Sequence, residues 1–155
     1  MFHFDYYKKI ADDLPGFYKD GDHVADAGIR TSISRYYCYI FHKYKETIYN
    51  LLTVPTKDEL LKMKSHRIHE LISNIMTYCN KATVAGELIK LRQLRNLCDY
   101  NKTKIVGAIQ YLSAQSSVLT LEQELSSIIT GIELNGAFKR ALSEIKQKQR
   151  QAANK

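Results

Sequence analysis

At 155 residues the chain is the size of one domain, long enough to bury a core without disulfide or metal staples. Its 45% hydrophobic and 25% charged composition is that of a globular protein, and no apolar run is long enough to span a membrane. The net charge of +7 is uneven: from Lys139 onward six basic residues face the single acid Glu144, leaving the rest nearly neutral. Such a basic extension can hold a phosphate backbone, or it can be a solvated helix end whose cations favour the negative pole of the helix dipole.

Glycine is scarce, the only prolines are Pro15 and Pro55, and no segment alternates apolar and polar residues as a half-buried strand would. A first helix is predicted from about Phe4 to Leu14, stopping at "LPG", followed by a loop "FYKDGD". The second is predicted from near Asp22 to Leu52. Ile29, Ile33, Tyr37, Tyr44 and Ile48 recur along it at helical spacing. Thr56 can cap a third helix, with Glu59 placed for a capping box and a break expected around Lys64–Ser65.

"CNKAT" reads as a loop, and a fourth helix follows from about Val84 to Tyr100 with Leu88, Leu91, Leu94 and Cys98 as its stripe. After the turn "NKTK" a fifth is predicted from near Ile105, with interruptions, to about Ile132. "GIELNG" then breaks the chain before a last basic helix. Short connections between helices imply antiparallel neighbours. The expectation is an all-α, up-and-down bundle of about five helices over residues 1–135, with a basic C-terminal helix or tail over 136–155.

Cys38, Cys79 and Cys98 lack metal-ligand spacing and read as reduced thiols filling the core. The opening "MFHFDYYKK" has no signal-peptide pattern, so the location expected is cytoplasmic. "SHRIH" offers Ser65 as an N-cap and places His66 and His69 three apart, but no third ligand is evident; neither metal nor cofactor is expected.

The segment "SISRYYCYIFHKYKE" carries the candidate chemistry. Arg35 and His42, seven apart, share a helix face, and Glu46 joins them four residues on. Thr31, Cys38, Tyr39 and Tyr49 flank them rather than lysines, so this side is expected to face a cleft or a second subunit. His42 can serve as general acid or base, Glu46 can orient its ring, and Arg35 can bind a phosphate or stabilise charge building on it. Together they suit metal-independent cleavage of an RNA phosphodiester. The same residues can equally be helix-surface devices: a His–Glu pair at i,i+4 and an arginine packed on tyrosines. In the fourth helix Arg92, Arg95 and Asp99 fall within a narrow arc. They can be further phosphate ligands or an ion pair fixing helix orientation.

Taken in order, Arg35, Tyr36–Tyr37, Phe41–His42, Ser65–His66, Arg95 and Asp99–Tyr100 resemble the recurring pattern of the HEPN superfamily, over roughly Ala27 to Asn101. The resemblance implies a small all-α bundle, generally a homodimer. Many such proteins are metal-independent endoribonucleases of toxin–antitoxin and antiviral systems, often paired with a nucleotidyltransferase-like partner; others are non-catalytic binding or dimerisation modules. The usual motif is an arginine, often followed by a polar residue, then a histidine after four to six intervening residues. Arg95–Asn96 begins that motif, but Asp99 and Tyr100 stand where the histidine would come. Arg35 to His42 meets the spacing in a different helix. The roles expected are catalytic for Arg35, His42 and Glu46 and substrate-binding for Arg95, Asp99, Tyr100 and Tyr39. RNA is the expected partner, cut through its 2′-hydroxyl. The alternative is a non-catalytic dimer that binds nucleic acid, a nucleotide or a protein.

Overall fold

A computed structural model describes residues 4–14, 23–101, 103–128 and 131–153. Among these the protein is all-helical, with seven helices: α1 Asp5–Asp13, α2 His23–Leu51, α3 Val54–Leu61, α4 Ser65–Tyr78, α5 Ala82–Tyr100, α6 Ala108–Leu125 and α7 Gly131–Ala153. No helix is long and apolar enough among the described residues to cross a membrane. The predicted loop "FYKDGD" lies outside the described residues.

The helix count exceeds the expected five for local reasons. The predicted third helix is two, because Lys64 turns extended (ψ 137°) and serves as N-cap of α4 in place of Ser65. Thr53, not Thr56, precedes the first turn of α3, and Pro55 occupies that turn, where no N–H is needed. Thr56 is instead buried, its hydroxyl 3.0 Å from that of Thr53. The fifth predicted helix ends early, at Leu125, and "GIELNG" does not break the chain but forms the start of α7. A glycine inside a helix costs roughly 1 kcal/mol relative to alanine. Here Gly136 is outweighed by Leu134, Ala137, Phe138, Ala141 and Ile145, all buried at the spacing of one helix face.

The chain divides into two compact units. The first comprises residues 1–43 and 87–126, the second 44–86 and 127–155. Both α2 and α5 therefore supply residues to each.

In the first unit, α1 runs antiparallel along α2: Lys43 pairs with Asp5 at 2.9 Å, and the buried Tyr36 donates its hydroxyl to Asp12. Tyr36 also meets the Tyr111 hydroxyl of α6 at 3.1 Å. Burial and these partners push its phenol well above the ordinary range. α5 joins α6 through Ser117, which donates to Glu87 at 2.5 Å.

The turn after α5 is tied to α2 by a pair that the sequence reading missed. Asp26 accepts from Arg30 Nε at 2.7 Å and from the Val106 N–H at 3.1 Å. Arg30 in turn donates to the carbonyls of Cys98 (3.0 Å), Asn101 (2.9 Å) and Lys104, satisfying acceptors that the end of α5 would leave open.

In the second unit, α4 packs on α7, burying Ile68, Leu71, Ile72, Ile75 and Met76. α4 ends in a Schellman motif. Asn80 takes a left-handed φ of 58°, its N–H donates to the Thr77 carbonyl at 3.0 Å, and Lys81 N–H donates to that of Met76 at 2.8 Å.

Candidate functional site

The aromatic-rich stretch of α2 is helical throughout, and its residues divide between opposite sides. Ile33, Tyr36, Tyr37, Ile40 and Tyr44 are buried, while Arg35, Cys38 and His42 are only partly so. What covers Arg35 and His42 is α1. The His42 ring lies flat on Phe4, with centroids 4.2 Å apart and planes 8° apart, and it meets Phe41 edge-on at 5.4 Å. The Arg35 guanidinium sits 5.1 Å over the Tyr7 ring, and Phe4 and Tyr7 stack on each other at 6.4 Å. Sequence periodicity left this side to a cleft or a second subunit; the chain's own first helix occupies it.

Across from α1, the α5 residues form a second group. Arg95 Nε pairs with Asp99 at 2.5 Å, and the other Asp99 oxygen accepts from the Ser34 hydroxyl at 2.5 Å. The Arg95 guanidinium lies between two rings, 5.9 Å from the centroid of Tyr37 and 5.3 Å from that of Tyr100. It also donates to the Tyr100 hydroxyl at 3.3 Å. Tyr100 is 71% exposed and so forms the outer wall.

Cys38 lies on α2 one turn from both Ser34 and His42. Burial pushes its thiol up, the nearby guanidiniums of Arg35 and Arg95 pull it back, and the Asp99 carboxylate adds to the rise. The phenol of Tyr37 is likewise raised by burial and opposed by Arg92 and Arg95. Arginines from two helices, Arg35 and Arg95, thus both favour the charged form of one half-buried thiol. His42 lies one turn further along α2 from Cys38, on the same face.

One expected site residue does not join this group. Tyr39 is buried against α6, where its hydroxyl donates to Glu122 at 2.6 Å and Lys8 pairs with the same carboxylate at 3.4 Å. Glu46 is exposed and belongs to the second unit. Tyr7 and Phe4 were not singled out from the sequence; two aromatics three apart opposite an Arg–His stripe were the available signal. All three cysteines are free. No cluster of three or more histidine, cysteine or acidic side chains is placed to hold a metal among the described residues.

The chain is 28% identical over 139 residues to an uncharacterized protein of Methanocaldococcus jannaschii, a match covering 83% of this chain and 77% of that protein. No family model and no solved structure matches it.

Proposed function

We propose that this protein is a HEPN-type, metal-independent endoribonuclease. The observation that carries the reading is that α2, which presents Arg35 and His42 on one face, also holds the Arg95–Asp99 pair of α5 through Ser34 and Tyr37. Two guanidiniums so placed suit a phosphodiester, whose charge grows as the 2′-hydroxyl attacks phosphorus. His42 exchanges the proton, taking it from the 2′-hydroxyl or giving it to the departing 5′-oxygen. The products are a 2′,3′-cyclic phosphate and a 5′-hydroxyl, and DNA, which lacks the nucleophile, is not cut. The setting, a toxin–antitoxin or antiviral system with a nucleotidyltransferase-like partner, rests on the sequence resemblance alone. Self-association into a homodimer is supported by α6, where Ile109, Leu112 and Leu119 share a face and are 81%, 58% and 52% exposed.

The second reading is a non-catalytic dimer that binds nucleic acid, a nucleotide or a protein. The flat stacking of His42 on Phe4 favours it, since that geometry also suits an imidazole used for packing.

RNA cleavage by the pure protein in the presence of a chelator separates the two. The nuclease reading expects cyclic-phosphate ends that disappear in His42→Ala and Arg95→Ala proteins that still melt cooperatively. RNA left intact by the wild type, but retained at moderate salt, establishes the binder instead.

A further inference from the structure

The second unit holds two adjoining hollows, of about 630 and 370 Å³, that share Glu59, Leu142 and Lys146 and so form one groove. Its lining is strongly cationic. Lys139, Lys146 and Arg150 come from α7, and Lys62, Lys64 and Arg67 from the end of α3 and the start of α4. Among the described residues the one carboxylate in the lining, Glu59, stands 3.9 Å from Lys146, at the outer limit of an ion pair. Glu144, the acid of α7 within the span of these cations, is engaged elsewhere, with Lys148 at 2.8 Å and the Tyr78 hydroxyl at 3.1 Å.

The α7 cations are spaced seven and four residues apart, so they share one face over about 16 Å. A row of that length is more than a single small anion needs, and it matches successive charges on a polymer. Among the described residues no aromatic ring lines the groove on which a base could stack or a protein anchor could seat. The hollows are concave, whereas a lipid surface is flat.

We infer that this groove holds the sugar–phosphate backbone of a nucleic acid without reading its sequence. The inference shares with the proposed function the premise of a nucleic-acid partner, and adds where on the second unit a strand lies.

Fluorescence anisotropy of the full-length protein with labelled 2′-O-methyl RNA tests it, because that probe cannot be cut through a 2′-hydroxyl. Six single-strand phosphate contacts predict a slope of about −4 for log affinity against log salt. The double variant Lys146→Gln/Arg150→Gln should bind roughly tenfold more weakly, with a slope near −3. Lys148→Gln, outside the groove, should leave binding unchanged, and DNA of the same sequence should bind alike. An unaltered affinity in the double variant overturns the inference, as does no binding at low salt. Poly-glutamate held as tightly as RNA would replace it with an acidic protein partner. A wild type that binds this probe but leaves ordinary RNA intact defeats the nuclease reading alone.

Discussion

Arg30 and Asp26, 2.7 Å apart on successive turns of α2, together close the turn that follows α5. Arg30 reaches carbonyls of Cys98, Asn101 and Lys104, and Asp26 takes the Val106 N–H. Hydrogen bonds to a charged group contribute more than neutral ones, and the Arg30 side chain is 16% exposed. Arg30→Met should therefore cost roughly 2–3 kcal/mol in denaturant unfolding. Amide exchange should rise across residues 103–107. Rapid exchange there in the wild type would argue against this role.

The imidazole of His42 can be tested for packing and chemistry separately. Loss of the Phe4 stack in His42→Ala should cost roughly 1 kcal/mol, while His42→Phe should keep most of that stability. If the nuclease reading holds, both variants lose RNA cleavage, so activity and melting temperature separate in His42→Phe. Cleavage that survives in His42→Phe removes His42 from the chemistry.

Burial pushes the Cys98 thiol from 9.0 up to about 11, with the Arg30 guanidinium partly opposing the rise. A folded value above the unfolded one means the native state keeps its proton longer. The stability from the buried neutral thiol is present in full below about pH 9 and is lost as the pH rises through about 11. The contribution is at most roughly 3 kcal/mol. Unfolding free energy should fall across that window, and Cys98→Ala should flatten the fall. Alkylation of Cys98 at neutral pH should proceed only as fast as the protein opens.

Phe138, fully buried on α7, shows that the basic C-terminal helix is part of the packed structure. Phe138→Ala should cost roughly 3–5 kcal/mol. Ending the chain after Asn135 should remove the cooperative unfolding of the second unit. A truncated protein melting like the full chain would show that α7 is dispensable.

The long helix α2 was legible because its apolar residues recur at helical spacing without an interior proline, and the same pattern marked α4 and α5. "GIELNG" was misread because two glycines were weighed by local propensity, while the burial of Leu134 and Phe138 is a tertiary term. The Arg30 cap was invisible for a related reason: its acceptors lie 67 to 74 residues away. Of the candidate site, the i,i+4 pairing of Arg95 with Asp99 and the shared face of Arg35 and His42 follow from helix geometry. That α1 would cover the latter face, and that α6 would claim Tyr39, depends on which helices become neighbours, which spacing within one helix does not encode.

On α7 a single rod carries two alphabets in one register: a greasy edge that fixes its rotation, and lysines and an arginine whose bearing that rotation sets. Slipping one extra residue in after Leu134 would swing everything downstream by about 100°. The core would then lose its fit and the cations their aim in the same stroke, so the helix has little freedom to drift in one trait without the other.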